Sequence, residues 1–87
     1  MTERPLAGRH AIVTGGARGI GAAVSARVAA AGMTVTLMGR DADALAAHAR
    51  DLMDEHAVEV QCVRCDVSDE RSVRSAFAEA RQRYPRP

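Results

Sequence analysis

The stretch that decides the fold is HAIVTGGARGIG at residues 10–21. Residues 11–14 are apolar or β-branched, they lead without polar alternation into four glycines, and an apolar pattern of helical period follows. This order predicts a buried strand, a tight turn and the start of a helix. Because a helix start offers unpaired N–H groups and the positive end of a dipole, the turn is suited to hold a phosphate or pyrophosphate.

The spacing of the glycines narrows the kind of phosphate loop. A Walker loop ends in Gly-Lys-Ser/Thr, and the chain contains no lysine. The common dinucleotide fingerprint is Gly-x-Gly-x-x-Gly, whereas here Thr14 is followed by Gly15, Gly19 and Gly21. This Thr-Gly-x-x-x-Gly-x-Gly pattern resembles the fingerprint of the short-chain dehydrogenase/reductase family, and the lead-in at residues 6–9 is similar to that family's start.

Length and composition indicate one small globular domain. The 87 residues are 47% hydrophobic and 26% charged, which is an ordinary balance for a folded chain. A formal net charge of +1 gives no reason to expect nucleic acid or an anionic membrane as a partner. The first residues have no apolar core and no stretch approaches about 18 apolar residues, so we expect neither a signal peptide nor a membrane span. A cytoplasmic location is therefore expected.

Three strands and three helices are predicted to alternate along the chain. After the first strand, short runs rich in β-branched residues predict strands at 34–38 and 58–64. Each helix is predicted from apolar positions three or four residues apart. These positions are Ile20, Val24, Val28 and Ala31 in the first helix, Leu45, Ala49, Leu52, Met53 and His56 in the second, and Val73, Phe77, Ala80 and Tyr84 in the third. We expect Asp41 and Ser68 to cap the second and third helices, Gly32 to end the first and Pro85 to stop the third.

This order predicts an α/β fold with a parallel sheet and right-handed crossovers. We expect a Rossmann-like three-layer α/β/α arrangement with strand order 3-2-1, which is half of a doubly wound nucleotide-binding fold. The third helix should cross to the opposite face of the sheet from the first two. Residues 1–87 are then the N-terminal part of a NAD(P)-binding Rossmann domain, truncated before its catalytic half.

Two cysteines and two of the histidines are candidate metal ligands by residue type. Cys62 and Cys65 form a Cys-x-x-Cys, which in other contexts marks a redox pair or half a zinc site. On a strand, however, an odd spacing points the two side chains to opposite faces. We therefore expect buried strand cysteines, partly buried helix residues at His48 and His56, and no metal site.

The resemblance implies a dinucleotide site at the carboxyl ends of the three strands. The residues expected to hold the cofactor are Gly15, Ala17, Arg18, Gly19, Ile20, Gly21, Arg40, Asp66 and Val67. The glycines let the backbone wrap around a pyrophosphate and let the helix lie close to the strand, while residues 17–21 present N–H groups. Each assignment has a plain alternative: a glycine-rich turn without a ligand, a solvated Arg40, or an Asp66 that only helps to cap the third helix.

The choice between NADP and NAD depends on the end of the second strand. Gly39 stands where NAD-preferring members of the family carry an acid, and Arg40 follows it. A guanidinium pairs with a 2′-phosphate and gains little from a hydroxyl, and Arg18 adds a second positive charge. The resemblance further implies that Asp66 accepts a hydrogen bond from the adenine amino group and that Val67 lines the adenine pocket. NADP is the expected cofactor, with NAD the weaker candidate.

Catalytic residues are not expected in this chain. The family's Ser, Tyr-x-x-x-Lys and Asn lie well downstream, whereas this sequence has no lysine or asparagine and its single tyrosine, Tyr84, precedes Pro85. The sequence thus predicts the NADP(H)-binding portion of an oxidoreductase that transfers a hydride between NADPH and a small carbonyl or alcohol substrate, in a parent that could be a homo-oligomer. The alternative is a non-catalytic dinucleotide-binding module, or an inactive truncated product, that docks on a partner.

Overall fold

The computed structural model describes residues 8–15 and 19–83, in which strands and helices alternate. The elements are β1 (His10–Thr14), α1 (Gly19–Ala30), β2 (Thr34–Gly39), α2 (Ala42–His56), β3 (Val60–Arg64) and α3 (Glu70–Arg83). The predicted β-α-β-α-β-α order is confirmed. The third strand begins at residue 60 rather than 58, and the second extends by one residue, to Gly39.

The three strands form one parallel sheet in the order β1-β2-β3, as expected from the 3-2-1 arrangement. Thr14 lies opposite Met38 at the end of the first pair, and Gly39 lies opposite Arg64 at the end of the second. Because the strands are parallel and in close register, their carboxyl ends meet along one edge of the sheet. That edge is where an open α/β sheet binds its ligands.

Helices cover both faces of the sheet, which confirms the three-layer arrangement. Alternate residues of β2 point to opposite sides, so Leu37 packs under α1 and α2 while Met38 packs under α3. The buried cluster under α1 and α2 comprises Val13, Ala29, Val35, Leu37, Leu45, Ala49 and Leu52. The cluster under α3 comprises Met38, Val63, Cys65, Ala76 and Ala80. The third helix therefore crosses to the opposite face, as predicted.

The predicted buried face of α1 is wrong in the first half of the helix, whereas Val28 packs against the buried cluster as expected. Ile20 is 84% exposed and Val24 is 44% exposed, whereas Ser25 and Ala29 are fully buried. Small residues let the helix lie close to the sheet, and the Ser25 hydroxyl is satisfied inside the helix by donating to the Ala22 carbonyl at 2.8 Å. In α2, Met53 was also expected to be buried and is 39% exposed.

The two histidines of α2 are partly buried, as expected. His48 Nε2 lies 2.8 Å from the Ser25 hydroxyl, which links α1 to α2. His56 ends α2 and lies 3.6 Å from the Glu55 carboxylate. These contacts account for both side chains as part of the helical layer.

Two of the predicted helix ends are confirmed. Asp41 caps α2, because its carboxylate accepts a hydrogen bond from the Ala44 N–H at 3.1 Å. Gly32 follows α1 with a φ of 92°, and the N–H of Met33 donates to the Val28 carbonyl at 3.2 Å. This is the glycine-terminated helix end that the sequence predicts.

The predicted cap of the third helix is wrong. α3 begins at Glu70, and Asp69 accepts hydrogen bonds from the N–H groups of Arg71 and Ser72 at 2.9 and 3.5 Å. Ser68 cannot serve because its hydroxyl donates to Asp66 instead. Asp69 is therefore the cap. Tyr84 and Pro85, expected at the other end of this helix, lie outside the described residues.

The two cysteines lie on opposite faces of the sheet. Cys62 lies opposite Leu37 and is exposed, so the expectation that it is buried is wrong: β3 is the outer strand of the described sheet, and the helix layer covers it incompletely. Cys65, just after β3, is 1% exposed and packs under α3, as expected. Partial burial raises the pKa of the Cys62 thiol, which keeps the reactive thiolate scarce at neutral pH.

We expect iodoacetamide to modify Cys62 slowly in the native chain and Cys65 only after unfolding, as measured by mass spectrometry. An internal disulfide under mild oxidation, or stoichiometric zinc in protein purified without added metal, would contradict the placement of the two thiols on opposite faces of the sheet.

Residues 8–15 and 19–83 contain neither a membrane-spanning helix nor a cluster of metal-binding side chains. Within those ranges no helix is both long and apolar enough to cross a bilayer. The same ranges hold no group of three or more His, Cys, Asp or Glu side chains that could bind a metal ion.

Candidate functional site

The carboxyl ends of the three strands border a cleft of about 270 Å³. Its lining residues are Gly15, Gly39, Arg40, Cys65, Asp66, Val67 and Ser68. Four of the residues expected to hold a cofactor, Gly15, Arg40, Asp66 and Val67, are thereby brought together from the segments that follow β1, β2 and β3. Parallel pairing produces this convergence, because each strand delivers the residues after it to the same edge.

The turn after β1 needs glycine for its backbone conformation. Gly15 has a φ of 65° and Gly19 a φ of 55°, in the left-handed region where other residues are strained. The Gly15 N–H donates to the Met38 carbonyl at 2.7 Å, which fixes the turn beside the end of β2. A Cβ built on either glycine would meet no atom of the described residues within 4 Å. Glycine is therefore needed here for its backbone conformation and not for lack of space.

The remaining predicted residues of the turn lie apart from the cleft lining or outside the described residues. Gly19, Ile20 and Gly21 form the first turn of α1 and are not among the described residues that line the cleft. Ala17 and Arg18 lie outside the described residues. The contacts expected of these residues to a pyrophosphate, and of the Arg18 side chain to a 2′-phosphate, stay predictions.

The loop between β3 and α3 is held by hydrogen bonds around Asp66. One carboxylate oxygen, Oδ1, accepts from the Ser68 hydroxyl at 2.7 Å and from the Ser68 N–H at 3.0 Å. The Asp66 N–H donates to the Ser72 hydroxyl at 2.9 Å, and the neighbouring Cys65 N–H donates to the Gly39 carbonyl at 2.9 Å. Asp66 thus fixes the loop beside the end of β2, and the capping role considered for it belongs to Asp69.

The cleft combines one carboxylate, one guanidinium and one apolar side chain. The Ser68 hydroxyl and then the Ser68 N–H hold the pKa of Asp66 below its usual range, with smaller contributions from the Arg40 and Arg64 guanidiniums. Asp66 is therefore ionised at neutral pH, and its Oδ2 has no hydrogen-bond partner within the described ranges. Arg40 is exposed and Val67 is 70% exposed. Such a surface can accept a ligand N–H, neutralise an anion and cover an apolar ring.

Removing the Ser68 hydroxyl is expected to raise the pKa of Asp66. In Ser68→Ala the backbone N–H still donates, so the pKa of Asp66 moves up but stays below that of an ordinary aspartate. Since the folded-state pKa is lowered, this pairing stabilises the fold above the unfolded pKa of about 4 and is lost as pH falls through the folded value. An NMR titration of the Asp66 carboxyl measures the shift, with Ser75→Ala on exposed α3 surface as the matched control. An unchanged pKa would show that the hydroxyl bond is not formed.

A family model described as short chain dehydrogenase matches residues 9–86. The chain belongs to the short-chain dehydrogenase family. The match includes all six elements and every residue that lines the cleft. The resemblance noted in the glycine motif is therefore confirmed over almost the whole chain.

Individual members of the short-chain dehydrogenase family match at moderate identity. The chain is 34% identical over 77 residues to a 3-oxoacyl-[acyl-carrier-protein] reductase of Aquifex aeolicus, covering 88% of this chain and 31% of that protein. It is 46% identical over 70 residues to a 2-dehydro-3-deoxy-L-rhamnonate dehydrogenase (NAD(+)) of a Sphingomonas species, covering 80% of this chain and 26% of the relative. The chain thus spans less than a third of the length of these relatives.

A solved structure of the same family superposes closely. The L-sorbose reductase of Gluconobacter frateurii, in complex with NADPH and L-sorbose, matches with a TM-score of 0.88 and 29% sequence identity. The match covers 95% of this chain and 32% of that one. The arrangement of three parallel strands and three helices is therefore that of part of a short-chain dehydrogenase.

Sequence reasoning missed three residues around the cleft. Ser68 fixes Asp66, Asp69 caps α3, and Arg64 adds charge beside the cleft. An Asp-x-Ser spacing is a known signature of a local turn in which the aspartate accepts the hydrogen bonds, and it would have identified the first pair. Nothing in the neighbouring sequence identifies Arg64 as a residue near the cleft, because only the pairing of β3 with β2 places it there.

Proposed function

We propose that this short-chain dehydrogenase chain binds a nicotinamide dinucleotide by its adenosine end and prefers NADP(H) to NAD(H). The observation that carries the proposal is the convergence of Gly15, Arg40, Asp66 and Val67 around one cleft. The NADPH complex of the matching L-sorbose reductase supports the cofactor class, whereas the Sphingomonas relative is named for NAD(+). Family membership alone therefore leaves the choice open, and this chain's own residues favour NADP.

The groups around the cleft fit the adenosine 2′-phosphate part of NADP. Arg40 is exposed and has no ion pair within the described residues, so its guanidinium is free to pair with a phosphate. Gly39 contributes no carboxylate that would repel that phosphate. The ionised Asp66 suits the exocyclic amino group of adenine, and exposed Val67 suits the face of the ring.

The proposed activity of the intact enzyme is a hydride transfer between NADPH and a small carbonyl or alcohol substrate. The dinucleotide, when bound, supplies or accepts the hydride. The residues of this chain bind and orient the adenosine end of the dinucleotide. They do not include a Tyr-x-x-x-Lys motif, because the 87 residues contain no lysine. Hydride transfer itself would depend on residues that this sequence does not contain.

Nucleotide titration tests the proposal. NADPH is titrated into the chain and followed by its fluorescence, and the bound NADPH is then displaced with 2′,5′-ADP or with 5′-AMP. We expect 2′,5′-ADP to displace NADPH well and 5′-AMP to be at least about tenfold weaker, because a charge-assisted phosphate contact is lost. Failure of NADPH to bind, or equal displacement by the two nucleotides, would contradict the proposed NADP preference.

An Asp66→Asn variant separates the adenine contact from the phosphate contact. The amide keeps an oxygen for Ser68 but places an NH₂ donor where the carboxylate would accept from adenine. NADPH and NADH should both weaken by roughly fivefold, with their ratio unchanged. Asp43→Asn, on the exposed first turn of α2, is the matched control. A loss confined to NADPH would contradict the adenine assignment.

A further inference from the structure

A second guanidinium, that of Arg64, lies next to the cleft: Arg64 is not one of the lining residues, but it directly precedes the lining residue Cys65 at the end of β3. In the sheet register Arg64 of β3 lies opposite Gly39 of β2, so the two residues share one face of the sheet. Gly39 has no side chain to separate Arg64 from the end of β2. A Cβ at Gly39 would lie in ordinary van der Waals contact with Leu45 Cδ2, at 3.4 Å, so this face of β2 is turned toward α2.

The charges around this edge leave two cations without ion pairs. Asp41, Asp66 and Asp69 each accept a hydrogen bond from a nearby N–H or hydroxyl group. Arg40 and Arg64 are both exposed, and neither forms an ion pair within the described ranges. Both guanidiniums lie close enough to Asp66 to lower the pKa of its carboxyl. Positive charge therefore flanks Asp66 on the β2 side and on the β3 side.

We propose that Arg64 is a second specificity-determining residue, which acts with Arg40 on the 2′-phosphate of NADP. This inference rests on the proposed function, since it concerns the same nucleotide site. A phosphate monoester carries nearly two negative charges at neutral pH, more than one guanidinium neutralises. Arg64 supplies positive charge in addition to that of Arg40 and to that expected of Arg18, and it contributes to the choice of NADP over NAD without contributing to adenine binding.

The test measures the ratio of the apparent dissociation constants for NADH and NADPH in the wild-type chain, Arg64→Gln and Arg64→Lys. An incompletely folded population raises both constants by the same factor, so their ratio is independent of the folded fraction. Arg64→Gln should lower the preference for NADPH about fivefold and leave NADH binding unchanged, as expected for a partly screened ion pair. Arg64→Lys should keep most of the preference because it keeps the charge. Arg81→Gln, exposed in the last turn of α3, is the matched control.

The outcomes separate this inference from the proposed function. A wild-type preference for NADPH that persists unchanged in Arg64→Gln overturns the role of Arg64 and leaves the NADP site intact. Equal losses for NADPH and NADH overturn it as well, because they assign Arg64 to the support of the Asp66 loop. A wild-type chain that binds neither nucleotide, or both alike, overturns the proposed function and this inference with it.

Discussion

Replacing Arg40 with aspartate is expected to remove the preference for NADPH over NADH. A hydrogen bond to a charged partner contributes roughly 1.5–3 kcal/mol, so its loss alone lowers the preference by a factor of about 10 to 100. The substitution also places a carboxylate beside Asp41 and Asp66, where it would repel a 2′-phosphate. Binding of NADH should change far less, because its ribose hydroxyl carries no charge.

The ratio of apparent dissociation constants for NADH and NADPH measures this effect. Arg40 is exposed in the segment between β2 and α2, so its replacement should leave the fold unchanged by circular dichroism. Arg50→Asp, on the exposed surface of α2, introduces the same charge change away from the cleft and should leave the ratio unaltered. In an intact enzyme the same shift should be seen in kcat/KM for the two cofactors. An unchanged ratio in Arg40→Asp would overturn the assignment.

The sequence of strands and helices was predictable because its signals are local, and the strand order followed from the resemblance to a doubly wound fold. The run at residues 11–14 has no polar alternation, as expected of a strand covered on both faces, and the glycine-rich turn that follows has one usual outcome in an α/β chain. Three strands joined by helices of ordinary length then form a parallel sheet with right-handed crossovers. Asp41 caps the start of α2 and Gly32 ends α1, in each case through contacts made within five residues. Such contacts can be recognised in a sequence.

The errors arose where the outcome depends on tertiary packing. In the alanine-rich α1, more than one face is apolar, so periodicity could not exclude a face that buries Ser25 and exposes Ile20. In the loop after β3, Asp66, Ser68 and Asp69 were all suitable caps, and the bond between Ser68 and Asp66 decided the choice. Arg64 comes beside the cleft only through the register of β3 against β2, which the sequence alone does not specify.

The 87-residue chain by itself is expected to show no oxidoreductase turnover. Carbonyl reduction needs a proton donor whose pKa is close to the working pH. In the cleft the lowered pKa keeps Asp66 ionised at neutral pH, so its carboxylate cannot deliver a proton to a substrate, and guanidinium groups do not serve as proton donors in proteins. The proposed contacts hold the adenosine end of the dinucleotide and leave the reacting ring without a catalytic partner from the described residues.

The same chain should also be only marginally stable. Within the described residues β1 pairs with β2 alone, so one edge of an apolar strand stays open to pairing with other chains. Ile20 and Val24 leave apolar surface exposed on α1. The hydrophobic and entropic contributions of so small a domain nearly cancel even with a complete core. We therefore expect a broad thermal transition that depends on protein concentration, and weakened but selective binding of NADPH.

Two measurements on the wild-type chain, and one comparison with Arg40→Asp, decide these expectations. Calorimetry or circular dichroism gives the thermal transition, and a sharp transition in a monomer at several protein concentrations would contradict the marginal fold. An assay of NADPH oxidation with a panel of ketones and aldehydes should give no rate above that of buffer, because binding the adenosine end provides orientation but no proton. Turnover that is lost in Arg40→Asp together with NADPH binding would belong to this chain and not to a contaminant. It would overturn the expectation that the chain binds the cofactor without catalysing the reaction.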